Sequence, residues 1–295
     1  MTTPDYLQRD QDAAEDRAAA SAKWLRGYVQ LRGVLVQNPE PVSDRSGPLA
    51  DFVRERQHRA LLLYMMLLSV WPWLHDDRNP LEAAAWMNLL HSRSANGRAL
   101  VWSESTLSRT WKYLEWKGLI EKKRGRKGRL LVQPRVEDGT APYTFPSGEK
   151  KKWSEAYFVL PERFWLEEDF AKLSLPGLAV LLVIAKETNK ASEIRITQEQ
   201  IAEWYGFHRS TVFKGLASLR SLGLLVERTE WIPARLSKIR TTQATYYSLA
   251  SEYSTEERAK ARANAERRRR RAARTAPITG GPVFVDEAGG DPGGT

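Results

Sequence analysis

Hydrophobic residues recur at helical spacing in two segments of the chain that align with each other without a gap. The first segment, STLSRTWKYLEWKGLIEKK, begins at Ser105, and the second, STVFKGLASLRSLGLLVER, begins at Ser210. In both, apolar side chains follow an i, i+4, i+7 pattern, which predicts a helix with one buried face. These apolar residues are Leu107, Trp111 and Leu114 in the first segment and Val212, Leu216 and Leu219 in the second. The alignment predicts two copies of one supersecondary unit.

Each predicted helix ends at a glycine and is followed by a candidate β-hairpin. Gly118 and Gly223 occupy the position at which a left-handed residue commonly ends a helix. The predicted strand pairs are 119–121 with 130–132 in the first unit and 224–231 with 242–249 in the second. The first pair flanks the turn KKRGRKGR at residues 122–129, in which glycines permit the turn and six cations surround it.

The predicted outward faces of the two helices carry mainly short polar and basic side chains, which can enter the major groove of DNA. Arginine or lysine can pair with guanine there, and serine or threonine can reach phosphates or base edges. The candidate reading residues are Ser105, Thr106, Arg109, Thr110 and Tyr113 in the first helix, and His208, Arg209, Ser210, Thr211 and Lys214 in the second. The candidate hairpin contacts are Lys122, Lys123, Arg124, Arg126, Lys127 and Arg129 in the first unit, and Arg235, Lys238 and Arg240 in the second. For either helix taken alone, a solvated face is the competing interpretation.

A series of helix signals precedes the second unit. Ser174 can cap a helix with the apolar body LPGLAVLLVIAK, and residues 194–196 suit a short strand. Thr197 and Gln200 then form a T-x-x-Q capping box, and Gly206 suits the turn into the candidate reading helix. With the helix and hairpin that follow, this order resembles the winged helix-turn-helix DNA-binding proteins. The resemblance implies that the helix after the turn lies in the major groove, while the hairpin wing touches the backbone or the minor groove.

The first unit resembles the same family but departs from its spacing. The segment from His58 to Trp73 predicts an apolar first helix, and Asn79-Pro80-Leu81-Glu82 carries the start signals of a second. About ten residues, RSANGRALVW, then precede the candidate reading helix, where the family has a tight turn. Within them, 99–102 is a candidate strand.

The expected fold class is mainly α with a small β content, as two winged helix-turn-helix modules in tandem. The expected organisation is an N-terminal helical extension and loop at 1–54, a first module at 55–136, a linker at 137–156, a second module at 157–250, and a basic helix with a disordered tail at 251–295. The N-terminal helix is expected to pack on the first module or on a second subunit, which would make a homodimer. The five consecutive arginines at 267–271 suit either an added phosphate clamp or a solubilising tail.

Composition favours a nucleic-acid partner and excludes several kinds of chemistry. The chain of 295 residues has 46 Lys or Arg against 36 Asp or Glu, and this net charge of +10 favours a polyanionic partner. Because cysteine is absent, disulfides, thiolate nucleophiles and Cys-ligated zinc are excluded. No phosphate-loop or dinucleotide-binding motif occurs, so we expect no enzyme, no metal site, no cofactor and no small-molecule ligand. An apolar run of 18 residues is also absent, and we expect a cytoplasmic, nucleoid-associated protein without membrane contact.

Sequence-specific binding of double-stranded DNA is therefore the expected function. The favoured role is a transcription regulator that reads an asymmetric site of about 20 base pairs, because two reading helices on one face lie roughly one helical turn apart. Matched positions differ between the helices, Arg109 against Lys214 and Thr110 against Gly215, which predicts that they read different bases. One alternative is a plasmid or phage replication initiator that binds repeated origin sites. A further alternative is an architectural or adaptor protein in which one module binds a protein partner.

Overall fold

The computed structural model describes residues 3–23, 27–38, 45–77, 80–93, 99–124, 130–149, 152–233 and 240–275. It is an α+β fold with 55% helix, 20% strand and small antiparallel sheets, which confirms the expected predominance of helix. The helices are α1 (Thr3–Lys23), α2 (Pro48–Arg54), α3 (His58–Asp77), α4 (Ala83–Leu89), α5 (Glu104–Trp116), α6 (Arg163–Leu166), α7 (Asp169–Lys172), α8 (Leu175–Glu187), α9 (Gln198–Trp204), α10 (Arg209–Ser221) and α11 (Thr255–Thr275). The strands are β1 (Tyr28–Arg32), β2 (Ser92–Arg93), β3 (Ala99–Leu100), β4 (Ile120–Arg124), β5 (Leu130–Pro134), β6 (Tyr157–Pro161), β7 (Ile194–Arg195), β8 (Leu225–Pro233) and β9 (Thr241–Leu249).

We call the elements from α1 to β5 the N-terminal half and those from β6 to α11 the C-terminal half. Helix α3 forms the centre of the N-terminal half. Its residues 60–70 are apolar on nearly every side, and all of them are buried, as expected for a helix surrounded by other elements. The helix passes through Pro72 and continues beyond Trp73, where the sequence predicted its end. The next helix, α4, has Glu82 as its N-cap, so it begins later than the predicted start. Asn79, the predicted cap, lies outside the described residues.

A short hairpin occupies the connection between α4 and α5. Strand β2 pairs with β3, with Ser92 opposite Leu100 and Arg93 opposite Ala99. The strand is shorter than the predicted 99–102, and the indole of Trp102 is buried, where its Nε1–H donates to the Leu90 carbonyl at 3.1 Å. The N-terminal half therefore enters α5 from a hairpin.

The local signals predicted for the C-terminal half are present as hydrogen bonds. Ser174 caps α8 by accepting from the Gly177 N–H at 3.2 Å. The Thr197 hydroxyl accepts from Gln200 N–H at 3.1 Å, and the Gln200 side chain accepts from Thr197 N–H at 2.9 Å, which completes the capping box of α9. Gly206 follows α9 with φ at +65°, in the left-handed region that favours glycine, and α10 begins three residues later. Strands β7, β9 and β8 form one antiparallel sheet in that order.

A two-stranded ribbon and one continuous hydrophobic core join the two halves. Strand β1 pairs antiparallel with β6 and packs against α3, while β6 packs against α8. Glu137 and Thr144, in the segment 137–156 that was predicted to be a linker, contribute to this junction. Arg32 on β1 is fully buried, and its Nη1 lies 3.0 Å from the Glu137 carboxylate while its Nη2 donates to the Thr144 carbonyl at 2.7 Å. The segment is thus held against the ribbon by a buried ion pair.

Helix α1 connects the two halves a second time. It packs against α4, and Ala13 and Arg17 are among its buried side chains. Arg17 donates to the His91 carbonyl at 2.7 Å and pairs with Glu168, which also accepts from the Ser92 hydroxyl at 2.5 Å. Of the two packings expected for this helix, the structure shows the one on the N-terminal half of the same chain; a homodimer stays a prediction.

Helix α11 is anchored by a buried arginine. Arg258 donates to the carbonyls of Ala185 at 2.7 Å, Thr188 at 3.1 Å and Tyr253 at 2.8 Å. Burial and the neighbouring charge of Arg262 lower the pKa of Arg258 to about 10, so it is positively charged at neutral pH. Its charge is matched by carbonyls at the C-terminal end of α8, where the helix dipole is negative. The predicted basic helix is therefore attached to the body.

The predicted tail at 276–295 lies outside the described residues. Among the helices described here, none combines the length with the apolar character that crossing a bilayer requires.

Candidate nucleic-acid interface

Helices α5 and α10 share one pattern of burial. Each has 13 residues, and when the two are aligned position by position every pair has the same degree of burial. The buried residues are Leu107, Thr110, Trp111 and Leu114 in α5, and Val212, Gly215, Leu216 and Leu219 in α10. Because the same positions are buried, the two helices turn equivalent faces outward. This agreement supports the alignment made from the sequence.

One candidate reading residue, Thr110, was placed on the wrong face of α5. It is 8% exposed, and its hydroxyl donates to the Thr106 carbonyl at 2.7 Å. The reason is its spacing, since it lies three residues after Leu107 and four before Leu114, within the buried stripe. Its counterpart Gly215 is buried as well, so the difference between these two residues has no bearing on base reading.

Tyr113 is half-buried and belongs to the contact between α5 and α2. Its ring lies 6.0 Å from that of Phe52, and burial together with the Glu55 carboxylate raises its pKa. At the end of the helix, Lys117 Nζ lies 2.9 Å from the Asp51 carboxylate and 2.5 Å from that of Glu55. The last turn of α5 is thus fixed to α2, and Tyr113 is less available to DNA than predicted.

The outward face of α5 carries two predicted residues and two further polar residues. Ser105 and Arg109 are exposed, as predicted, whereas Thr106 is half-buried. Ser108 and Lys112 are exposed on the same face but are absent from the sequence-based candidates. Lys112 lies seven residues after Ser105, two helical turns along the same line, so the periodicity alone was sufficient to find it.

In α10 the residues Arg209, Ser210 and Lys214 are exposed, and Thr211 is half-buried. His208 is exposed and is the N-cap, because its Nδ1 accepts from the Ser210 N–H at 3.2 Å. Three of the predicted residues are therefore exposed on the outward face of the helix, although the Ser210 hydroxyl lies 2.8 Å from His208 Nδ1, and a fourth, His208, caps the helix.

An aromatic side chain also occupies the outward face of α10. Phe213 is 61% exposed and lies next to Lys214, at the position that corresponds to Ser108 in α5. Phe213 was not among the sequence-based candidates, because a phenylalanine in a helix is usually assigned to the core. On a groove-facing helix, such a ring can contact the methyl group of thymine.

The hairpin after α5 is described only as far as its tip. Lys122 lies 2.7 Å from Glu115, and Lys123 lies 3.6 Å from Glu121, so both predicted contacts have an acidic neighbour. Arg126, Lys127 and Arg129, together with the side chain of Arg124, lie outside the described residues. Their role stays a prediction.

The hairpin formed by β8 and β9 is long, and the charges near its base are balanced. Arg228 bridges Glu193 at 2.6 Å and Glu230 at 2.7 Å, and Trp231 on the same strand is 64% exposed. Arg240 is exposed just before β9 with φ at +53°, the left-handed region. Arg235 and Lys238 lie outside the described residues. Of the three residues of this hairpin that were predicted to contact DNA, the structure therefore describes Arg240.

Helix α2 lies between the two candidate reading helices. Lys117, just after α5, bonds to Asp51 of α2, and Gly206, just before α10, approaches α2 so closely that an added Cβ would lie 3.3 Å from Ala50 Cβ. The two candidate helices are therefore held in one body and do not hang on separate flexible arms.

An apolar cleft of about 560 Å³ lies among α4, α5 and the hairpin of β4 and β5. Trp86 and Trp111 meet there edge to face, with ring centroids 5.3 Å apart. Within the described residues, no group of three or more His, Asp or Glu side chains is placed to hold a metal ion.

Comparison of the chain with protein-family models, curated proteins and solved structures finds no match.

Proposed function

We propose that this chain is a sequence-specific double-stranded DNA-binding protein, with the role of a transcription regulator. The observation that carries the proposal is the repeated helix: α5 and α10 bury the same positions and turn equivalent faces outward. Those faces carry Arg109 and Lys214 at matched positions, each one helical turn after an exposed serine, Ser105 or Ser210. Such side chains are the ones that pair with base edges and phosphates in a major groove.

The arrangement around α10 supports assignment to the winged helix-turn-helix type. Strand β7, helices α9 and α10, and the hairpin of β8 and β9 follow one another, and β9 lies between β7 and β8 in the sheet. In proteins of that type, the helix after the turn enters the major groove and the adjacent hairpin contacts the backbone. The hairpin of β4 and β5 follows α5 in the same way, so we assign two such modules in tandem.

The outward faces differ in chemistry, and this supports an asymmetric target site. Lys112 corresponds to Ala217, and Ser108 corresponds to Phe213, so α5 offers polar groups where α10 offers apolar ones. In a palindrome the two half-sites have the same sequence, so two helices with different side chains would have to read identical bases. We therefore expect a non-palindromic site in which each helix reads its own half.

Selection of bound sequences from random duplex pools tests the proposal directly. We expect one asymmetric tract of about 20 base pairs, and a slope of log K against log salt of about −5 to −7 if about 6–8 phosphates are contacted. Changing Arg109→Ala or Lys214→Ala is expected to cost about 1–3 kcal/mol on the selected duplex and to relax preference at one base pair.

Lys260→Ala is the matched control, since Lys260 is an exposed cation on α11 and is remote from both reading helices in sequence. It is expected to leave the duplex preference intact. If the Arg109 and Lys214 variants bind the selected duplex as tightly as the control, the assignment of the reading helices is wrong. If the pool yields no preferred sequence, specific duplex binding itself is wrong.

A further inference from the structure

A second candidate binding site lies at the junction of the two halves, formed by residues outside α5 and α10. Residues 147–149 and 152–155 lie against each other, because Ser147 N–H donates to the Glu155 carboxylate at 2.8 Å and Gly148 N–H donates to the Glu155 carbonyl at 3.1 Å. Between these residues, the loop after α8 and helix α11 lies a cleft of about 540 Å³. We call it the junction cleft.

Two aromatic rings line the junction cleft. Trp153 is 44% exposed. Because tryptophan is enriched at interfaces, an exposed tryptophan ring indicates an interaction site. Trp153 also lines an adjoining cleft of about 230 Å³, where Lys186 Nζ lies 5.4 Å from its ring centroid. Tyr157 lies beside Gly148, and a Cβ added to that glycine would come within 2.9 Å of the ring. The wall of the cleft therefore offers a flat aromatic surface to a ligand.

Cations surround these rings. Lys190 is exposed in the loop after α8, and Arg262 of α11 donates to the Asn189 side chain at 3.3 Å. Lys152 lines the cleft as well and lies 3.2 Å from Glu149, the one acidic side chain among the described residues of its lining. Positive charge exceeds negative charge in the cleft by three to one, which favours an anionic ligand.

The positive surface continues along α11. Arg267 to Arg271 follow Arg262 on the same helix by about one and a half to two and a half turns, and all five are exposed. Helix α11 packs against β6, whereas α10 packs against α8 and α9. The arginine run therefore lies on α11 and is not part of the surface of α10. Arg269, seven residues after Arg262, lies on the same side of α11 as Arg262, whereas Arg268 lines a separate cleft with Glu162.

We propose that the junction cleft and the arginines of α11 bind single-stranded nucleic acid. A base stacks on Trp153, its phosphate lies between Lys190 and Arg262, and the following phosphates meet the arginine run. Aromatic platforms within a positively charged groove are the usual means of holding unpaired strands. The volume of the cleft, about 540 Å³, lies within the range of sites for one small ligand and is sufficient for a nucleotide. This inference goes beyond the proposed duplex binding and uses different residues.

Fluorescence anisotropy with a labelled 20-residue oligothymidylate, measured on the full chain at about 50 mM salt, tests the inference. We expect Trp153→Ala to weaken binding by about 5- to 150-fold, the effect of losing one base–aromatic stack, and Trp153→Phe to retain most of it. The double change Lys190→Ala with Arg262→Ala is expected to reduce the salt slope by about 0.7, because the two cations hold one phosphate and each neutralised phosphate of a single strand contributes about 0.7.

Trp116→Ala is the matched control, since Trp116 is 72% exposed but lies at the end of α5, away from the cleft in sequence. It is expected to bind the oligonucleotide like the parent, and urea denaturation establishes that each variant is folded. The inference is overturned if the parent does not bind the oligonucleotide, if Trp116→Ala weakens binding as much as Trp153→Ala, or if thymidine monophosphate binds as tightly as the strand.

Lys214→Ala separates this inference from the proposed function. It is expected to weaken binding of the selected duplex and to leave oligonucleotide binding unchanged. Loss of oligonucleotide binding in Lys214→Ala, with retention in Trp153→Ala, would assign the strand to α10 and overturn the junction cleft. Failure of duplex binding with intact, Trp153-dependent strand binding would overturn the proposed function alone.

Discussion

The ion pair between Arg32 and Glu137 offers the sharpest test of how the two halves are joined. Both side chains are fully buried, with Arg32 Nη1 3.0 Å from the Glu137 carboxylate. Arg32 Nη2 also donates to the Thr144 carbonyl at 2.7 Å, and the Arg32 guanidinium lies 5.1 Å from the centroid of the Tyr143 ring. The carboxylate of Glu137 raises the pKa of Arg32 against the opposing effect of burial, so the arginine is charged in the folded protein.

The change Arg32→Met removes one partner and keeps most of the side-chain volume. It leaves the Glu137 carboxylate buried, with the Arg32 backbone N–H at 2.9 Å still donating to it but with no countercharge at that position. Breaking a buried pair in this way costs about 3–5 kcal/mol. We therefore expect the free energy of unfolding to fall by about that amount in urea denaturation followed by tryptophan fluorescence.

The double variant Arg32→Met with Glu137→Leu distinguishes a charge effect from a packing effect. With both charges removed, no fully buried charge is left without a partner, since Glu155, which lies 3.6 Å from Arg32 Nη2, is 22% exposed. Apolar replacement of buried pairs is often neutral. We expect the double variant to lose much less stability than the sum of the two single changes. Arg54→Met is the control, because Arg54 is 65% exposed, lies 3.1 Å from Asp51, and a surface pair contributes at most about 1 kcal/mol. The reasoning is refuted if Arg32→Met costs less than about 1 kcal/mol, or if the two single costs simply add.

Three further predictions concern the packing of α10, an acidic group and helix α1. Gly215→Ala places a Cβ 2.4 Å from Val180 Cγ2, so we expect a loss of about 1–3 kcal/mol in urea denaturation; unchanged stability would contradict the close approach of α10 to α8. Partial burial raises the pKa of Glu155, but the opposing effects, led by the hydrogen bond from Ser147 N–H, hold this pKa below its ordinary value. We therefore expect the parent to be more stable than Glu155→Gln, with the full difference above about pH 5 and a smaller one as the pH falls through the ordinary pKa of about 4.3. A stability difference that does not change between about pH 7 and 3 would contradict this. Arg17→Met should lower the hydrogen-exchange protection of α1 amides by at least about tenfold, and unchanged protection would show that Arg17 does not hold this helix in place.

Local signals made the order of elements in the C-terminal half predictable. The caps at Ser174 and Thr197 involve residues only three positions apart, so the sequence contains both donor and acceptor of each bond. Gly118 and Gly223 have φ at +70° and +64° after their helices, as the glycine signal indicated. These features depend on neighbouring residues and need no knowledge of the tertiary fold.

The junction of the halves could not be read in the same way. Arg32 and Glu137 are separated by more than one hundred positions, and nothing near either residue indicates a buried charge. Glycine, proline and lysine between 137 and 152 are typical of a linker, yet the segment packs because Arg32 donates to it. Thr110 shows a different limit. The three apolar residues of α5 indicate the direction of its buried face but not the width of that face, and the polar Thr110 lies within the face as a fourth buried residue.

The junction also bears on the choice between the regulator and the initiator proposed from the sequence. A regulator needs only to recognise a closed duplex, the task that we propose for α5 and α10. An initiator must also retain a strand once the duplex opens, and that requires a site that a base pair cannot enter. We propose the junction cleft as such a site, and Trp153 belongs to it and not to the candidate reading helices. Oligonucleotide binding that depends on Trp153 would therefore shift the proposed role towards initiation, whereas its absence would leave duplex reading, and hence regulation, as the function that the geometry supports.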